Sequence, residues 1–300
     1  MCIRDRNNPA LNSSNYDAIY VEYYDEEVAY YMYGNTSARL PDFIIRNNVI
    51  NSEASWGSGI DMYTGYNPYY VNDNSYIYFG GWLIDNNTIN AADGIYLDYY
   101  EFCYDNEDNS TTEIGDIVII NNRINADDTG IYVYYDDIGY EMYDNASLIV
   151  GNVIIHNNTV NCTYGIEVDY YVYADEYSNV EMGYLNITDN KVRNCTDDGI
   201  YIYYDLEASD YSTISIKRAL IDGNIIYNCT SDGIYIYEYI YHDSNAIVNL
   251  ENPIIRRNDI SYCDTGIYLD NVPNCTIMAN HIYNNSEGTV SYTHLTLPTN

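Results

Sequence analysis

Apolar residues recur along this chain in short runs that alternate with polar ones, and one phrase organises them. The phrase is Asn, any residue, Ile or Val, a polar turn, then Gly-Ile-x-aliphatic. It appears as Asn48-Val49-Ile50 with Gly59-Ile60-Asp61-Met62 and as Asn87-Thr88-Ile89 with Gly94-Ile95-Tyr96-Leu97. It returns as Asn122-Arg123-Ile124 with Gly130-Ile131-Tyr132-Val133. Further copies centre on Asn158 with Gly165, Asn190 with Gly199, Asn224 with Gly233 and Asn258 with Gly266, and a short one runs from Asn280 to Gly288. A degenerate first copy reads Ala18-Ile19-Tyr20-Val21. The period of two, rich in β-branched residues, predicts strands and excludes an all-helical solenoid. The near absence of L-x-x-L-x-L spacing sets aside a leucine-rich repeat.

From Gly59 to Gly288 the glycines step by 35, 36, 35, 34, 34, 33 and 22 residues. The last step is a minimal coil, with strands expected at Gly266–Leu269, Thr276–Met278 and His281–Tyr283. Strands this short cannot bury an apolar face alone. Stacking each on its equivalent in the next coil makes continuous parallel sheets at about 4.8 Å spacing. About eight coils are expected, with the repeated Asn, and the Gly before each Ile, taking left-handed turn conformations. Most coils carry roughly a dozen extra residues after the Gly-Ile strand, such as Tyr134–Leu148, Asp169–Met182 and Tyr203–Ser212. These read as Tyr/Asp-rich loops stacked along one side.

The repeated phrase resembles the right-handed parallel β-helix repeat of the pectate-lyase-like superfamily, and of adhesin-like surface proteins of gut methanogens. The resemblance covers about residues 8–288 and implies an all-β solenoid. For function it is permissive, because lyases, hydrolases, epimerases, phage tailspikes and passive adhesins share the architecture.

Charge narrows the partners. The chain carries 45 Asp and Glu against 11 Lys and Arg, a net charge of −34, and 41 Tyr. Such a surface repels nucleic acid, anionic lipid and polyuronates, and suits cations or neutral sugars. No run approaches the roughly 18 apolar residues of a membrane span, so no membrane insertion is expected. A hydrophobic content of 47 % with regular spacing argues against disorder. Residues 1–6 and 289–300 read as translated sequencing-library adapter, leaving residues 7–288 as the β-helix domain. That domain is expected to be a fragment of a larger secreted or cell-surface protein.

On the Gly-Ile strands alternate residues should face outward in two ladders. The first is Tyr20, Asp61, Tyr96, Tyr132, Glu167, Tyr201, Tyr235 and Tyr268. The second is Glu22, Tyr63, Asp98, Tyr134, Asp169, Tyr203, Tyr237 and Asp270. In the families this fold resembles, the corresponding sheet often borders the substrate cleft. Tyr96, Tyr132, Tyr134, Tyr201, Tyr203 and Tyr235 are therefore candidate glycan-binding residues, since rings pack on sugar faces. Glu167 and Asp169, about 7 Å apart on one strand, form a candidate catalytic pair within the range of an inverting glycosidase. The competing reading is that Tyr is simply a good strand residue and the acids keep the surface soluble. The resemblance gives lyases a Lys or Arg base, and no such cluster stands here. Asp93, Asp128, Asp198, Asp232 and Asp264, near the glycines, read as turn residues or as a Ca²⁺-binding ladder. Cys162, Cys195, Cys229 and Cys263, one per coil, read as buried thiols rather than zinc ligands or disulfides. The leading expectation is an adhesin or structural stalk, glycan- or cation-binding. The alternative is a glycoside hydrolase-like enzyme acting on a neutral polysaccharide.

Overall fold

The computed structural model describes residues 2–3, 11–13, 16–24, 32–53, 55–65, 68, 70–103 and 106–292. Most of the two end segments that the sequence sets apart from the β-helix, residues 1, 4–6 and 293–300, lies outside the described residues. Within them the regular structure is entirely strand, so no helix is long and apolar enough to cross a membrane.

Four parallel sheets run the length of the stack. In one coil the chain passes through Thr129–Ile138, Ser147–Val150, Val153–His156 and Thr159–Asn161 before returning to the sheet it started from at Tyr164–Ala174. We name these the long, fourth, first and second sheets. The first, second and long sheets each have nine strands and the fourth has seven. Each strand pairs in register with its equivalent one coil away, as Ile95 with Ile131, Ile131 with Ile166, and Ile166 with Ile200. In the minimal last coil the strands run Thr265–Asp270, Thr276–Met278 and His281–Tyr283, close to those expected. The architecture is a right-handed parallel β-helix. Aliphatic residues from all four sheets, such as Ile84, Ile89, Ile95, Ile119, Val133 and Leu148, fill one continuous buried core.

The expected loop insertions do stack, but as strands. The period-two pattern continues past the Gly-Ile phrase, so the long strands extend to Ile138, Ala174 and Ala208. The chain then turns and forms the fourth sheet, with Leu148, Val150, Val180 and Met182 pointing into the core. Burying these side chains requires the strand form, since a loop would leave its backbone groups without partners. The turns carry consecutive left-handed residues, such as Asp144 (φ 50) with Asn145 (φ 65) and Asp210 (φ 45) with Tyr211 (φ 66).

Two expectations about corners are corrected. The left-handed residue is the one before the repeated Asn: Asn86 (φ 54), Asn121 (φ 58), Asn157 (φ 54) and Asp189 (φ 54). The repeated Asn itself is buried and forms a ladder between coils. Asn122 donates through its backbone N–H and Nδ2 to Asn158 Oδ1 at 2.8 and 3.0 Å, while Nδ2 also donates to the Ile84 carbonyl at 2.9 Å. The same bonds recur from Asn158 to Asn190 and from Asn190 to Asn224. Each amide thus satisfies buried backbone groups at a corner where strand pairing lapses.

The glycine before each Ile is selected for space, not for φ. A Cβ on Gly94 would lie 2.3 Å from the Gly130 carbonyl oxygen and 2.4 Å from Ile124 Cγ2. The second and long sheets meet there too closely for any side chain.

Candidate functional site: the outward face of the long sheet

Both predicted ladders form in the expected register. In the first, Tyr96 pairs with Asp61 and Tyr132, Glu167 with Tyr132 and Tyr201, and Tyr235 with Tyr201 and Tyr268. In the second, Asp98 pairs with Tyr63 and Tyr134, and Asp169 with Tyr134 and Tyr203. Because the strands are longer than expected, two more columns follow. Tyr100, Asp136, Tyr171, Asp205 and Tyr239 make a third, with a bulge between Tyr135 and Ile138, and Tyr173, Glu207 and Tyr241 make a fourth. From Tyr96 to Tyr241 the outward positions of these strands are all Tyr, Asp or Glu.

The rings touch one another across the coils. Tyr132 and Tyr134 stack at 5.2 Å, Tyr134 meets Tyr171 edge-on at 5.6 Å, and Tyr203 stacks on Tyr237 at 5.2 Å. Tyr96 meets Tyr132 edge-on at 5.0 Å, and Tyr201 lies 5.2 Å from Tyr235. All six tyrosines singled out from the sequence therefore belong to one aromatic belt.

This belt covers the carboxylates between its rings. Asp98 and Asp169 are buried although their positions face outward. The Tyr132 hydroxyl donates to Asp169 Oδ2 at 2.8 Å, whereas Asp169 Oδ1 and Asp98 Oδ1 have no hydrogen-bond partner. Burial first, then the Asp136 and Asp61 charges, push Asp98 up to about 7. Burial and the charges of Asp17, Asp93 and Glu22 likewise push Asp61 up to about 7. Glu167 rises to about 8 through burial and the neighbouring Asp169 charge. Asp169 rises only to about 6, because its bond from Tyr132 favours the ionised form. Glu167 and Asp169 thus differ in proton affinity, as an acid and a base at neutral pH would.

Beyond the fourth column the face ends in a groove of about 240 Å³ at the turn into the fourth sheet, lined by Tyr140, Glu141, Tyr173, Asp175, Glu207 and Tyr241 among others. Sequence reasoning missed this groove and the outer two columns. The signal was present in Tyr171-Val172-Tyr173-Ala174 and Asp205-Leu206-Glu207-Ala208, which continue the alternation. It also missed the inward counterpart. Tyr99, Tyr135, Tyr170 and Tyr204 stack inside the core at 5.2, 5.3 and 5.0 Å.

The aspartates proposed as a Ca²⁺ ladder do not share one position. Asp93, Asp198 and Asp232 immediately precede a glycine, while Asp128 and Asp264 sit one residue earlier, before Thr129 and Thr265. Asp93 Oδ1 accepts from the Thr129 N–H at 3.2 Å and Asp198 Oδ1 from the Asp232 N–H at 2.8 Å. These carboxylates serve the turns of the next coil. Among the described residues, no three His, Cys, Asp or Glu side chains are grouped to hold a metal ion. Cys162, Cys195, Cys229 and Cys263 are buried free thiols, continuing the column occupied by Ala91 and Ala126. Cations stand elsewhere: Arg256 and Arg257 pair with Asp222, Lys217 with Glu251, and Arg46 with Asp85.

The family described as a right handed beta helix region matches residues 171–298. The nine stacked rungs give the chain the architecture of a right-handed parallel β-helix, and the match falls on the C-terminal part of that stack. No curated protein and no solved structure matches the chain significantly. The fold itself is compatible with a structural, binding or enzymatic role.

Proposed function

We propose that this β-helix is a secreted or cell-surface segment that works as an adhesin or stalk, with the outward face of the long sheet as its glycan-binding surface. The observation that supports this reading is the unbroken Tyr–carboxylate face, repeated coil after coil. Rings offer apolar planes for sugar C–H faces, and carboxylates accept hydroxyl protons. A repeating ligand such as a polysaccharide suits a repeating surface. With no Lys or Arg on the face, nucleic acid and anionic polymers are poor partners. The test is retention on a panel of neutral and acidic polysaccharides, with and without Ca²⁺. Tyr132→Ala with Tyr201→Ala should abolish retention while circular dichroism stays unchanged. Unaltered retention in that variant sinks the proposal.

A second reading, a glycoside hydrolase-like enzyme on a neutral polysaccharide, draws support from Glu167 near 8 beside Asp169 near 6. Glu167 would protonate the leaving oxygen and Asp169 would activate water. Against it, the pair sits in a face that presents Tyr and carboxylate above and below, with no singular cluster around it.

A further inference from the structure

The face carries charge without a countercharge. The nine strands of the long sheet contain one His, His242, and no Lys or Arg. Two of its carboxylates are nine-tenths buried, Asp98 at 9 % and Asp169 at 8 % exposure, each with Oδ1 unpartnered. An ionised carboxylate removed from water without a cation or a full set of donors is costly. A fold that only needed solubility would leave such groups in solvent, and one that only needed packing would place Asn or Tyr there. A positive ligand that parts the rings would complete both groups, whose unpartnered oxygens are closed to solvent while the face is bare.

The arrangement also says where on the ligand the charge sits. In its column Asp98 lies between Tyr63 and Tyr134, and Asp169 lies between Tyr134 and Tyr203. Successive coils are about 4.8 Å apart and outward neighbours on one strand about 7 Å apart. Across the coils each carboxylate is therefore framed by rings at about the distance of a single sugar unit, and along its own strand Asp98 stands between Tyr96 and Tyr100 while Asp169 stands between Glu167 and Tyr171. Lys and Arg side chains carry their charge at the end of a long flexible stem. An amino sugar carries it directly on a ring that can lie against Tyr, and ring faces also attract the ammonium itself.

From this placement we infer that the face takes a linear polysaccharide of amino sugars bearing free amines, with ammonium groups at Asp98 and Asp169 and sugar rings on the tyrosines. This rests on the glycan-binding reading and specifies its ligand. The ammonium donates to the unpartnered Oδ1 of each Asp, and the Tyr132 hydroxyl keeps Oδ2 of Asp169 fixed.

The test is equilibrium binding by the full chain at pH 7 to four soluble probes. They are an oligomer of β-1,4-linked glucosamine, its fully N-acetylated form, the glucose oligomer of the same linkage, and a polylysine of matched charge. The glucosamine oligomer should bind at least tenfold more tightly than the other three. Asp98→Asn with Asp169→Asn should bring it down to the level of the acetylated oligomer without lowering the melting temperature, since Asn is isosteric and uncharged. Equal affinity for all three sugars would overturn the amine inference and leave glycan binding standing. Polylysine binding as tightly as the glucosamine oligomer would overturn it too, showing a generic polyanion. Absence of binding to any sugar would remove both readings. The comparison of free and acetylated amines needs no variant, so a misfolded double mutant leaves the inference falsifiable.

Discussion

The Tyr132 hydroxyl reaches across one coil to donate to Asp169 Oδ2 at 2.8 Å. The bond joins a ring of the aromatic belt to a buried carboxylate of the next strand, and it offsets part of the rise that burial imposes on Asp169. Removing it with Tyr132→Phe deletes the donor that favours the ionised form, so the Asp169 titration should move above its value of about 6. A carboxyl-carbon NMR titration of wild type and variant reads this directly. An unmoved midpoint would mean that the bond does not form in solution.

Stability should fall as pH rises. Asp61, Asp98, Glu167, Asp169, Asp198 and Glu238 are pushed up, mainly by burial, to about 7, 7, 8, 6, 6 and 7. Their unfolded values are about 4, so between about pH 4 and 8 the folded chain holds more protons than the unfolded one. The slope of unfolding free energy with pH is then negative. Asp222, lowered by hydrogen bonds from Arg257 and Arg256, and Asp243, lowered by backbone N–H bonds from Asn245, Asp210 and Ala246, work in the opposite direction but are outnumbered. Melting temperature should be higher at pH 5 than at pH 8, and a rise toward pH 8 would refute the buried placement of these acids.

The glycine positions make a paired prediction. A Cβ on Gly130 would stand 2.3 Å from Val160 Cγ1 and 2.5 Å from the Gly165 carbonyl oxygen, whereas Gly288 has nothing within 4 Å. Gly130→Ala should cost about 2–3 kcal/mol through forced displacement of the facing sheet. Gly288→Ala should stay within about 0.5 kcal/mol of wild type. Urea unfolding of both measures the contrast, and equal costs would contradict the close approach of the sheets.

The thiol column should be silent in the native state. Cys162, Cys195, Cys229 and Cys263 are buried and free, and Cys195 and Cys229 are raised chiefly by contacts with neighbouring thiols of the column and by burial. Peptide mapping after alkylation should find all four unlabelled in native protein and all four labelled in denaturant without reductant. Four that stay unlabelled in denaturant would indicate disulfides between coils.

How far this was legible in the sequence depended on which signal each residue carried. The register and the first two outward ladders follow from the Gly-Ile phrase, because Tyr132 and Glu167 stand at one fixed offset from a glycine. The roles at the corner were not separable in the same way. Asn157 and Asn158 are the same residue type, and only the backbone shows that the first takes the left-handed turn while the second forms the buried ladder. Asp128 and Asp198 look equivalent beside a glycine, yet a single Thr shifts one of them out of the column. The outer columns and the fourth sheet were hidden by composition. Tyr, Asp and Glu in a long insertion suggest a loop, and the small inward residues Val172 and Ala174 give only a faint apolar alternation. Burial of Asp98 and Asp169 was beyond the sequence, since it arises from rings on three different coils closing over them.

Most directly, the account is tested by following polysaccharide binding and the release of new reducing ends together, in wild type, Glu167→Gln and Asp169→Asn. A binding face predicts retention of the polysaccharide with no release in any of the three proteins. Release by wild type that disappears in either variant would contradict it and make Glu167 and Asp169 a catalytic pair.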